Sequence, residues 1–358
     1  MIKSLSARIG LFGVGVLLLA GCAGTGPASI ARDRFDYVTS VSDSWKRQML
    51  LNLLKVRYAD APVFMDIASV INSYELAGEV NLRGQIAKTG ARDEIAGLGV
   101  TGRYADKPTI TYQPLAGDKF TRSLMLPIPV PSLLYLIQSG YPADQVLRIC
   151  ADSINGLANS YGGPGRLQAG DPKFRDLLAA LKENQAAGGM VMRMQAAKDK
   201  QSVVIFLRPS TDEAIAASSR KVRELLGLNP AVREYSVVYG SYPENDTEIA
   251  ILSRSILQVL IDLASYIDVP EADLAEGRVY APKFISEQAQ MFPPLLKVRC
   301  GATPPGDAHV AVKYRNQWFW IDDRDSGSKQ IFNFMMFMFS LTETGSAQAA
   351  PIVTVPAR

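Results

Sequence analysis

A mixed fold, α+β or mixed α/β, is predicted for this chain from three changes in apolar period. Apolar residues recur every three to four positions between Val38 and Val56 and every second position from Tyr74 to Tyr112. Beyond Gly165, helical and extended patterns alternate. With 358 residues and 47% hydrophobic content, the chain can bury a substantial core, and length alone suggests about two domains.

The first element is a helix whose buried stripe is Val38, Val41, Trp45, Met49, Leu53 and Val56. Lys46, Arg47, Lys55 and Arg57 flank it, as a solvated face in preference to a contact for anionic headgroups. From residue 74 the period shortens to two. Tyr74, Leu76, Val80, Leu82 and Ile86 share one parity, and Glu75, Glu79, Asn81, Arg83 and Gln85 take the other, which describes a strand with one dry and one wet face. Gly78 and Gly84 on the dry side mark bending or close approach. After a polar turn at 89–94, Leu98, Val100 and Tyr104 repeat the pattern, and Ile110 and Tyr112 extend it beyond Pro108, giving a hairpin or three-stranded meander.

Helical patterns follow at 133–137 and 146–157, and Tyr161-Gly162-Gly163-Pro164-Gly165 then breaks both helix and strand. A domain boundary is placed there. In the second half, Asp171-Pro172 reads as an N-cap with proline at the first helical position, opening a helix through Leu181. Strands are expected at 190–194 and 203–207, followed by a helix to Leu226 with Ser210 and Glu213 as its capping box. A strand at 235–239 and a long helix at 249–267 come next. Strands at 295–300, 310–314 and 318–321 follow, the last two joined tightly at Arg315-Asn316-Gln317. Residues 331–341 close the fold as a helix apolar nearly all round, the mark of a central position in a core. The expected organisation is a leader at 1–21, a flexible Gly/Ala/Ser-rich tether at 22–34, a helix-plus-meander region at 35–165 and an α/β region at 166–358. The last two are either separate or one continuous domain.

At the amino terminus, Lys3 and Arg8 precede an apolar run at 9–19 that is too short for a membrane span of about 20 residues, and the run ends in Leu19-Ala20-Gly21-Cys22. This segment resembles the lipobox of bacterial lipoproteins, a resemblance confined to the first 22 residues. It implies cleavage before Cys22, acylation of that cysteine and attachment to the cell envelope. Ala23 replaces the aspartate that resembles an inner-membrane retention signal, so the outer membrane is expected, at its periplasmic face.

Loss of Lys3 and Arg8 with the leader takes 38 cations to 36 against 35 acids, and a near-neutral chain argues against nucleic acid as a partner. Of the remaining cysteines, Cys150 and Cys300 are able to form a disulfide in an oxidising compartment or stand as two buried thiols. The single histidine, His309, has no Gly-x-Ser-x-Gly elbow to serve, and sites needing two imidazoles are excluded. It reads as a structural or surface residue. Asp322, Asp323 and Asp325 are candidate ligands for a hard cation, without the alternating spacing of a calcium loop. The competing role is for Asp325 or Ser326 to cap the last helix. Gly162, Gly163 and Gly165 lack the preceding strand and following Lys-Ser/Thr of a phosphate loop. No cofactor is expected.

The leading functional expectation is a lipid-anchored, non-enzymatic outer-membrane protein that binds or assembles an envelope protein partner. A second makes residues 74–112 the hairpin that each subunit of a homo-oligomeric pore inserts into the membrane. In outline this resembles the lipoprotein rings that form secretion channels, such as the curli export channel, with no motif shared. A third is a carboxylate-dependent periplasmic hydrolase whose paired acids lie apart in sequence.

Overall fold

Pro27 opens a helix inside the expected tether. In the computed structural model, which describes residues 27–71, 74–83, 97–106, 109–163, 166–197, 200–280 and 292–342, α1 runs Pro27–Arg57. Proline suits a first helical turn, where its missing N–H has no partner to lose. The stripe read from the sequence divides: Met49, Leu53 and Val56 are buried, whereas Val38 is 60% and Phe35 72% exposed.

Contacts group the chain into two units, Val63–Lys119 and a body made from the residues on either side of it. This corrects the boundary at 165. Tyr161–Gly163 (β7) pairs antiparallel with Arg166–Gln168 (β8), so the residues on both sides of Pro164-Gly165 belong to one small ladder within the body. Val63–Lys119 holds β1 (Met65–Ile71), β2 (Tyr74–Arg83), β3 (Gly97–Asp106) and β4 (Thr109–Pro114). β1 pairs with β4 and β2 with β3, giving two two-stranded ladders where a meander was an option. Gly84, Ile86 and the turn at 89–94 lie outside the described residues.

In the body, α2 (Val130–Gln138) and α3 (Ala143–Cys150) lead into β5 (Ala151–Ile154) and β6 (Leu157–Ala158). The helix expected over 146–157 therefore stops at Cys150. Asn155 and Gly156, with φ of 45° and 80°, make the two-residue turn that joins β5 to β6, and Asn-Gly is the pair that tolerates this geometry. Helix α4 (Pro172–Ala186) starts as expected, with Asp171 accepting the Lys173 amide at 2.8 Å. It is followed by β9 (Met190–Ala197), β10 (Lys200–Leu207) and α5 (Glu213–Leu226). The cap of α5 is Asp212, which accepts the Ala214 amide, and Ser210 instead accepts the amide of Asp212. A carboxylate one residue before the helix displaces the expected serine.

β11 (Glu234–Tyr239) runs parallel to β12 (Glu248–Ser253), and the long helix expected at 249–267 is half strand. A continuous apolar run fits a buried strand as well as a buried helix. Only Ile256–Ala264 (α6) is helical, opened by a reciprocal capping box between Ser255 and Gln258. The six-stranded sheet has the order β6-β5-β12-β11-β10-β9. After the short α7 (Glu271–Ala275), a second sheet of order β13-β15-β14 forms from Arg299–Gly301, Ala308–Tyr314 and Gln317–Asp322. The strand expected at 295–300 is thus reduced to three residues. Arg315 and Asn316, both at positive φ, turn β14 into β15. The last helix, α8 (Ser326–Thr342), buries Phe332, Phe334, Met335 and Met338 but exposes Asn333, Phe337 and Ser340, so one side faces outward. Among the described residues no helix is long and apolar enough to cross a membrane.

Candidate functional site

The ribbon of Val63–Lys119 carries the strongest pattern in the molecule. Ten-residue strands β2 and β3 pair along their whole length, Tyr74 with Asp106 through Arg83 with Gly97. One parity of the ladder pairs Leu76 with Tyr104, Gly78 with Gly102, Val80 with Val100 and Leu82 with Leu98. The other pairs Glu75 with Ala105, Ala77 with Arg103, Glu79 with Thr101 and Asn81 with Gly99. Alternation across a pleat thus separates an apolar from a polar residue set. Between β1 and β4 the register shifts at Ala68, so that Ile67 faces Tyr112 and Val70 faces Ile110. The extra residue, a β-bulge, keeps Ile67 and Val70 in one set despite their opposite parity in sequence. Among the described residues, no third strand pairs with either edge of these ladders. An isolated two-stranded hairpin is at best marginally stable in water.

The body contains a polar cluster that the sequence reading missed. Arg254, fully buried, donates from Nη1 to Asp262 Oδ2 at 3.1 Å and from Nη2 to the Ser160 carbonyl at 2.6 Å. Asp262 Oδ1 accepts the Gly162 amide at 2.7 Å. Burial pushes the Asp262 carboxyl above the ordinary range, against the pull of Arg254. Arg148 adds bonds to Ser160 Oγ at 2.7 Å and Asn159 Oδ1 at 3.3 Å, with its guanidinium 4.5 Å from the Phe292 ring centre. These contacts tie α3, β7, β12 and α6 together and leave Arg254 closed to any ligand. The signal was present as one arginine and one aspartate inside an apolar run at 249–267.

Cys22 lies outside the described residues. Cys150 and Cys300 are both free thiols, which corrects the disulfide option; Cys150 is buried at the end of α3 and its thiol is pushed up to about 12 by desolvation. The three aspartates are engaged elsewhere. Asp325 caps α8, its Oδ1 accepting the Ser328 amide at 3.0 Å and its Oδ2 the Ser328 hydroxyl at 2.9 Å. Asp322 accepts the Arg324 amide at 2.9 Å and lies 3.4 Å from Arg299 Nη1, and Asp323 accepts Lys329 Nζ at 2.7 Å. Among the described residues, no three acids, cysteines or histidines gather as a metal-holding group. His309 stands 3.7 Å from Asp323 and packs edge-on to Phe332; burial, then Lys46 and Lys329, hold its pKa below the ordinary value. No family model matches the chain, and no match is found among curated proteins or solved structures.

Proposed function

We propose that this chain is an outer-membrane lipoprotein, held at the periplasmic face by acyl chains on Cys22, that works without a catalytic centre and contributes its ribbon to a homo-oligomeric barrel. The observation that carries this reading is the segregation of apolar and polar residues over the ten-residue strands β2 and β3. Ten residues at about 3.3 Å rise, tilted by about 40°, cover about 25 Å, the height of the apolar band of a membrane barrel. Tyr104 and Tyr112 belong to the apolar set, as interfacial aromatics do. A lone hairpin in lipid would leave strand edges unpaired at several kcal/mol per group, so insertion and ring closure must be coupled. Eight strands is about the smallest barrel of this type, which calls for about four copies or more.

The test uses acylated protein extracted in mild detergent. Rings by electron microscopy and step conductance in planar bilayers are expected, with Leu82→Glu and Leu98→Glu abolishing conductance while the protein stays membrane-bound. A monomer that conducts nothing would overturn the barrel. Loss of palmitate labelling in Cys22→Ser tests the anchor separately. A second reading, binding of an envelope partner by strand addition, is favoured by the outer edge of β9, which among the described residues pairs only with β10. Crosslinking in cells from positions on β9 would capture that partner; crosslinks confined to the same chain would exclude it.

A further inference from the structure

Between α1 and the second sheet of the body lies a cleft of about 320 Å³, within the size range of small-molecule sites. Asp43, Lys46 and Arg47 line it from the helix, His309 and Trp318 from strands β14 and β15, and Gly306 from the loop before β14. Lys46 Nζ meets Asp43 at 3.3 Å, which engages the one carboxylate in the cleft. Arg47 makes no ion pair or hydrogen bond among the described residues, and neither does the Trp318 indole N–H. A Cβ built on Gly306 meets nothing within 4 Å, so there is open space over its backbone.

Donors therefore outnumber acceptors, and they come from two opposing walls. Arginine and lysine supply N–H groups that accept nothing in return, and an indole N–H is likewise donor-only. A planar carboxylate presents two oxygens in one plane, whereas a phosphate group presents oxygens in several directions and matches donors on both sides. We propose that this cleft binds a phosphate group, with Arg47 and Lys46 as the charged contacts and Trp318 as the neutral donor. The site owes nothing to the ribbon and is independent of the barrel. Its phosphate comes either from free inorganic phosphate or from a phospholipid headgroup, which an acylated protein would meet at the membrane surface.

The acylated full chain in non-ionic detergent is titrated with inorganic phosphate and, separately, with glycerophosphoglycerol, the water-soluble headgroup of phosphatidylglycerol, at matched ionic strength. Tryptophan emission and thermal melting are followed together. A saturable response is expected, weakened at least tenfold in Lys46→Gln/Arg47→Gln. Gly306→Leu fills the open space without changing charge and should weaken it as well. Trp318→Phe should remove most of the optical change, weaken binding and leave some thermal stabilisation. Tighter binding of the diester assigns the site to lipid headgroups, and tighter binding of inorganic phosphate assigns it to the free ion. No saturable response to either, or an unchanged response in both the double variant and Gly306→Leu, overturns the proposal.

Discussion

Arg254 shows at the scale of one residue why buried charge is exacting. Its guanidinium bonds to Asp262 and the Ser160 carbonyl with no exposure to water, so removing it strands a carboxylate in the core. Arg254→Ala should cost about 3–5 kcal/mol, read from urea unfolding, while replacing Arg254 and Asp262 together by apolar residues should recover only part of that loss, because the buried Asp152, 3.8 Å from Arg254 Nε, stays behind. The anomaly of an arginine in an apolar run was legible in the sequence. The partners were not, because the Ser160 carbonyl that accepts from Arg254 and the Gly162 amide that donates to Asp262 lie about a hundred residues earlier. Asp325 was legible, since a helix cap is a local signal. Its carboxyl is held below the ordinary aspartate range chiefly by the Ser328 amide. A depressed folded-state pKa means that the stabilisation is full above the unfolded pKa and is lost as pH falls through the folded one. Asp325→Ala should therefore cost about 1 kcal/mol at neutral pH. The difference between variant and wild type should close on acid titration of urea stability.

At the scale of elements, local signals decided the outcome wherever they were strong, and apolar runs misled wherever they competed with one. Residues 146–157 read as helix, yet Asn155-Gly156 inside them is a strong hairpin signal and ends the helix. Gly156 is at φ 80°, and an added Cβ would lie 2.5 Å from the exposed Tyr242 ring. Gly156→Ala should cost about 1–2 kcal/mol, of which Tyr242→Ala restores the crowding part but not the backbone part, a separation that thermal melts of the single and double variants would show. The ribbon was legible because its period is two and its partners are near in sequence. The bulge at Ala68 was not, since one extra residue leaves composition unchanged and only the register reveals it. Deleting Ala68 would remove the bulge and leave Met65, Ile67 and Val70 in one set, so ring yield in detergent should persist; an alanine inserted after Ala68 would move Met65 and Ile67 into the polar set, and ring yield should fall while the β2–β3 ladder persists.

For the whole molecule, the division into units follows from where chain ends meet, which no local composition announces. The Leu115 amide donates to the Phe64 carbonyl at 2.9 Å, so the ribbon enters and leaves at adjoining points. Replacing 65–114 by a short Asn-Gly turn should leave the body folded, with a melting temperature within a few degrees of the parent measured by circular dichroism. Unfolding of the body would instead assign part of its stability to the ribbon. The Gly/Pro cluster at 161–165 suggested a boundary from sequence because turns and linkers share composition. The body itself is knitted from distant parts: α1 packs on β14 and α6, and Tyr58 stacks edge-on to Tyr314 at 5.4 Å. Contacts of that separation form slowly, whereas a hairpin zips in about 1–10 μs. As the polypeptide is synthesised, the ribbon is complete while the chain's first helix still waits for its last strands. The two units therefore close in a fixed order, the local ribbon before a body that waits on the pairing of α1 with β14.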